Sequence, residues 1–116
     1  MQIKLTSIVS DSKKGVIIWI FTIQNKSGYT CDGVSIYQMF LSSPDNTSMA
    51  PTNLSVDPGN SDSWPMDVNQ IHNIDIYFTQ LTSSIRYTLS FNINYMCNNM
   101  SEGQSDNYRA YDFYFA

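Results

Sequence analysis

The stretch Val16-Ile17-Ile18-Trp19-Ile20-Phe21-Thr22-Ile23-Gln24 decides the fold class of this chain. In an extended backbone, Ile17, Trp19, Phe21 and Ile23 share one face, and Val16, Ile18 and Ile20 share the other. β-branched and aromatic side chains fit a pleated surface. The run is strand-length and stops well short of the ~18 apolar residues that read as a membrane-spanning helix. A strand apolar on both faces belongs at the centre of its sheet. It ends at Asn25-Lys26-Ser27-Gly28, a strong turn signal.

Outward from this strand the same period recurs. Ile3, Leu5, Ser7 and Val9 alternate with Gln2, Lys4 and Thr6, and Asp11-Ser12-Lys13-Lys14-Gly15 reads as the hairpin turn between the two segments. Gly33 to Leu41 places Val34, Ile36 and Phe40 on one face and Tyr37, Met39 and Leu41 on the other. Ser42 to Asn53 is polar and reads as a long surface loop. Leu54-Ser55-Val56 is a short strand, and Asp57-Pro58-Gly59-Asn60 suits a turn with Pro presetting φ. Trp64 to Val68 reads either as a short strand or as an irregular segment that lays Trp64 across the surface. Asn73 to Leu81 alternates again. Arg86 to Cys97 alternates most cleanly, with Tyr87, Leu89, Phe91, Ile93 and Tyr95 opposite Thr88, Ser90, Asn92 and Asn94, as in a half-buried strand. After a polar loop from Asn98 to Asn107, Tyr108 to Phe115 closes the chain. Seven to eight short strands with turns between them predict one all-β domain over residues 1–116. The expected fold is an antiparallel β-sandwich of immunoglobulin-like, Greek-key type.

With 116 residues, 42% hydrophobic and 14% aromatic, the chain can bury a core without a metal or disulfide. Net charge is −4, and Lys4, Lys13, Lys14, Lys26, Arg86 and Arg109 are scattered, which excludes the basic footprint of a nucleic-acid partner. The same balance argues against anionic membranes, and no membrane insertion is expected. Met1-Gln-Ile-Lys-Leu-Thr does not read as a signal peptide. Either the chain is made without one, or a start Met precedes a mature domain. Four Asn-x-Ser/Thr sequons begin at Asn25, Asn46, Asn53 and Asn99, against about two expected by chance, and favour a secreted, extracellular glycoprotein. Cys31 and Cys97 read either as two small buried hydrophobes or as one disulfide.

Catalytic groups are sparse. His72 is the lone histidine and has no nucleophile beside it, so it reads as structural. Asp57, Asn60 and Asp62, with Asp67, form the densest oxygen-donor cluster and could hold calcium. Their spacing is not that of an EF-hand, and the turn already explains the first two, so no cofactor is expected. Aromatic surface remains. Trp and Tyr rings stack on sugar C–H faces while Asn, Asp and Gln supply hydrogen bonds. Trp64, Tyr29, Tyr37 and Tyr77 are the candidate ligand-binding residues, with Tyr108 and Tyr114 on further outward positions. Trp19, among Ile and Phe, reads as core.

The stretch Trp19-Ile20-Phe21-Thr22-Ile23-Gln24-Asn25-Lys26-Ser27-Gly28-Tyr29-Thr30, followed by Val34-Ser35-Ile36, resembles the N-terminal half of the family 49 carbohydrate-binding modules, with Pro58-Gly59 in place of that family's later turn. The resemblance covers about residues 15 to 60; the Arg86 to Cys97 strand does not follow the family. It implies a non-catalytic β-sandwich that binds polysaccharide, with Trp64 and Tyr29 nearest to a transferable site. Three expectations compete. One is a secreted glycan-binding, lectin-like module. The second is an adhesion or structural module that contacts another protein or a second copy through a sheet edge or end loops. The third is an inhibitor presenting Ser42 to Asn53.

Overall fold

A computed structural model describes residues 1–56, 61–99, 103–105 and 109–116. Ten strands run through them: β1 (Gln2–Asp11), β2 (Val16–Gln24), β3 (Cys31–Ser42), β4 (Ser48–Met49), β5 (Asn53–Val56), β6 (Ser63–Met66), β7 (Ile71–Phe78), β8 (Ile85–Cys97), β9 (Gln104–Ser105) and β10 (Arg109–Phe115). All pairings are antiparallel. One sheet has the order β1-β2-β7-β5; the other has β10-β8-β3-β4, with β6 also on β3 and β9 on β8. The chain is an antiparallel β-sandwich, as expected. β4 and β9 are two-residue strands inside segments that read as loops. Trp64 to Val68 resolves in favour of a strand, β6.

β2 is interior to its sheet, between β1 and β7. Its inward row, Ile17, Trp19, Phe21 and Ile23, is fully buried against Leu89, Phe91 and Ile93 of β8 and the other core residues. Each such side chain contributes about 1.5–3 kcal/mol by leaving water. Phe21 clamps the two sheets: its ring meets Phe91 at 5.1 Å and Tyr111 at 5.0 Å, both edge-on. Trp19 is a core residue, and Phe113 packs edge-on against it at 6.0 Å.

Two strands depart from simple alternation. The pairing of β1 with β2 shifts register between Leu5 and Ser7. Beyond this bulge Ile8 turns inward and Val9 outward, so Val9 is 51% exposed rather than in line with Ile3 and Leu5. In β3 the register shifts between Tyr37 and Phe40, with Gln38 at φ 53°. Leu41 is therefore buried with Val34 and Ile36, while Phe40, expected on their face, is exposed. One inserted residue exchanges the two faces of everything after it.

Cys31 and Cys97 face each other in the β3–β8 ladder and form a disulfide across a sequence separation of 66. Such a bond points to an oxidising compartment rather than the cytosol. The hairpin glycine is also fixed tightly. Gly15 has φ +66°, and its carbonyl accepts from the Leu81 N–H at 2.9 Å. An added Cβ would stand 2.7 Å from the Leu81 carbonyl oxygen. Gly15→Ala is expected to lose about 1–3 kcal/mol, combining a left-handed backbone with a main-chain clash. Urea unfolding monitored by Trp19 and Trp64 fluorescence would register the fall in midpoint.

Candidate functional site

Among the described residues, a cleft lies where β5 and β7 of one sheet face β6 of the other. The cleft between them holds about 380 Å³ and is lined by Val56, Ser61, Ser63, Trp64, Pro65, Asp67, Gln70 and His72. Its floor follows from strand register. Trp64 pairs with Val34 and His72 with Ile23, and both partners point into the core. Trp64 and His72 therefore also point inward, one from each sheet, and their rings meet edge-on at 6.4 Å.

Trp64 is 6% exposed and His72 4%. Of the two readings of this segment the structure follows the strand, and the exposed Trp64 that sugar stacking would need is not found: β6 alternates, so Trp64 and Met66 turn inward while Ser63 and Pro65 face water. The Nε1 of Trp64 and both ring nitrogens of His72 have no hydrogen-bond partner among the described residues. A buried polar group left unpaired costs about 1–3 kcal/mol. Three of the four such atoms among the described residues lie behind this cleft; the fourth is Nε1 of Trp19 in the core.

The rim is built by a turn. Gln70 N donates to the Asp67 carbonyl at 3.1 Å, and Asp67 N donates to Gln70 Oε1 at 2.8 Å. Asn69 takes φ 63° between them. Beneath the turn lies Asn25, whose Nδ2 donates to the carbonyls of Asp67 (3.0 Å), Met66 (3.4 Å) and Tyr29 (2.7 Å). The exposed Asp67 carboxylate thus has a fixed backbone under it. Sequence reading missed His72 and Gln70 as lining residues. The only available signal was the lone histidine in phase with Ile74, Ile76 and Phe78.

The other candidate aromatics are not brought together. Tyr37 lies on the outer face of the β3 sheet, and Tyr77 on the outer face of the β2 sheet, on opposite sides of the molecule. Tyr29 is exposed in the β2–β3 turn. Tyr108 lies outside the described residues. On the outer β3–β8–β10 face, Tyr37, Phe40 and Tyr114 are all exposed. Of the calcium candidates, Asp57 and Asn60 lie outside the described residues. Asp62 is exposed, and its carbonyl accepts from Ile36 N at 3.0 Å. No cluster of three His, Cys, Asp or Glu suited to a metal occurs among the described residues.

Fold and cleft together define an antiparallel sandwich that carries, among its described residues, a cleft between its two sheets. No family model matches the sequence, and no curated protein matches it. Solved structures that share the fold include the following two. A human ASH/PapD-like domain, domain 7 of CEP192, superposes with TM-score 0.60 at 7% identity over 96% of this chain and 81% of that one. A family 123 glycoside hydrolase from Clostridium perfringens, studied for glycolipid glycan hydrolysis, superposes with TM-score 0.54 at 10% identity. This chain is matched over 84% of its length but spans only 20% of the hydrolase.

Proposed function

We propose that this chain is a non-catalytic protein-interaction module that seats one side chain of a polypeptide partner in the inter-sheet cleft. The observation carrying this reading is the Trp64–His72 floor with unpaired ring nitrogens behind it. Val56, Pro65 and the two rings supply an apolar wall, and Asp67 supplies a carboxylate at the mouth. That combination suits a lysine or arginine, whose stem packs on apolar surface while its head stays at the rim. Pro65 lacks an N–H, which blunts the free edge of β6 against strand addition, so side-chain recognition is favoured over β-augmentation. The similarity to a PapD-like domain supports the reading at the level of fold.

Displayed peptide libraries test it. Selected peptides should carry Lys or Arg at the anchor and shift the Trp64 indole N–H signal. Asp67→Ala should weaken them about tenfold, the equivalent of ~1.4 kcal/mol. Selection of peptides that leave the Trp64 and His72 signals unmoved would sink the assignment.

Glycan binding is the second reading. It is favoured by Tyr37, Phe40 and Tyr114 on one outer face and by the resemblance to family 49 carbohydrate-binding modules. It predicts retention on insoluble cellulose that falls in Tyr37→Ala and is untouched by Asp67→Ala.

A further inference from the structure

The outer face of the β2 sheet carries an apolar patch among polar neighbours such as Asp75, Thr22 and Lys4. Val9, Ile18 and Tyr77 form one cross-strand row, flanked by Val16 and Ile20. Val9 is largely exposed and the other four are half-buried. The row continues onto the edge strand: Tyr77 is paired with Asn53.

Asn53 opens the sequon Asn53-Leu54-Ser55. Leu54 packs against the core and Val56 is buried, so Asn53 and Ser55 point to the outer face with the apolar row. Asn53 is exposed. Its Oδ1 accepts from Leu54 N at 2.9 Å, and no hydrogen bond engages its Nδ2 among the described residues. The Cys31–Cys97 disulfide places the chain in the kind of compartment where such sequons are modified.

The sequon at Asn25 is its opposite. That side chain is 0% exposed, and its Nδ2 is spent on three carbonyls. A sugar there would remove a donor hydrogen and find no room, so Asn25-Lys26-Ser27 is a structural turn rather than an acceptor.

We propose that Asn53 carries an N-linked glycan whose first sugars lie across Tyr77, Ile18 and Val9 and cover this face. The donor is a polyprenyl-diphosphate-linked oligosaccharide. The Asn53 amide nitrogen bonds to the anomeric carbon. The carbon–oxygen bond to phosphate breaks, polyprenyl diphosphate leaves with the electron pair, and one amide proton is released. Directly opposed residues stand about 4.5–5.5 Å apart at Cβ, and the next strand lies ~4.8 Å further on. The first sugar therefore meets the Tyr77 ring, and the second reaches Ile18. Sugar C–H faces stack on such rings.

The full chain expressed in a glycosylating eukaryotic host provides the test. Glycopeptide mass spectrometry should find Asn53 occupied and Asn25 bare. Sugar protons should show Overhauser contacts to the Tyr77 ring and the Ile18 methyls. Ser55→Ala, which removes the sequon but keeps Asn53, should abolish those contacts and raise binding of an apolar dye. Ser48→Ala, which removes the sequon at Asn46, should do neither. An unmodified Asn53, an occupied Asn25 in folded protein, or an occupied Asn53 without the contacts would each overturn the proposal. The cleft is a separate surface, so either idea can fail without the other.

Discussion

Replacing Cys31 and Cys97 together by alanine is expected to lower the unfolding free energy by about 4 kcal/mol. The loop-closure entropy of a cross-link grows with the number of residues it spans, and this one has a sequence separation of 66. The two residues already face each other in the β3–β8 ladder, and the Asn98 N–H extends that contact by donating to Thr30 at 2.9 Å. The bridge therefore acts mainly on the unfolded chain, by forbidding its more expanded conformations. A domain of this kind has roughly 5–15 kcal/mol in total, so the loss is a large fraction of it. Urea denaturation should show a lower midpoint together with a steeper slope, because the uncrosslinked chain exposes more surface. Wild type under reducing conditions should follow the variant. An unchanged slope and midpoint would mean that the ladder alone restricts the unfolded state.

The second large effect is expected at Asn25. Its amide donates to the carbonyls of Tyr29, Met66 and Asp67, and its Oδ1 accepts from the backbone N–H of Ser27 (3.1 Å) and from its hydroxyl (2.7 Å). Its main chain is also used: N donates to Gln70 at 3.0 Å, and its carbonyl accepts from Asn69 at 2.9 Å. One side chain thus ties the β2–β3 turn to the β6–β7 turn. Asn25→Ala leaves several buried groups unpaired and a hole in their place, at an expected cost of about 3–5 kcal/mol. Asn25→Asp keeps the shape but offers no donor to the three carbonyls, so it should be at least as damaging. Thermal unfolding followed by circular dichroism measures both. Hydrogen exchange should accelerate first at Asn69 and Gln70, next to the Asp67 rim. A loss below ~1 kcal/mol in Asn25→Ala would show that water replaces the side chain at little cost.

Much of the fold was legible because strands with one wet face announce themselves. Arg86 to Cys97 alternates without interruption, and β8 covers almost the same span. β2 was legible for a different reason: a strand apolar on both faces reads as central in its sheet, and it lies between β1 and β7. The failures sit where a register shift intervenes. Nothing local distinguishes Phe40 from Leu41, yet the bulge near Gln38 decides which one is buried. Trp64 was equally ambiguous, since a short strand flanked by Ser63 and Pro65 carries too few residues for its phase to be read. The cleft was not legible at all. Its lining comes from β5, β6, the β6–β7 turn and β7, and only the packing of two sheets makes them adjacent.

The sequence by itself determined the all-β class, most of the strand positions and the core residues of β2 and β8, because side-chain period and turn chemistry act over a few residues. Tertiary structure alone decided that Cys31 meets Cys97, that Asn25 is a buried tie while Asn53 is an open sequon, and that Trp64 and His72 share a cleft floor. Those relations depend on register and on the approach of two sheets, and they join residues far apart in the chain. The stretch from Val16 to Gln24 belongs to both accounts. Its pattern determined that it would be a strand with two apolar faces; the sandwich decided that one face would be core and the other would lie open beside Asn53.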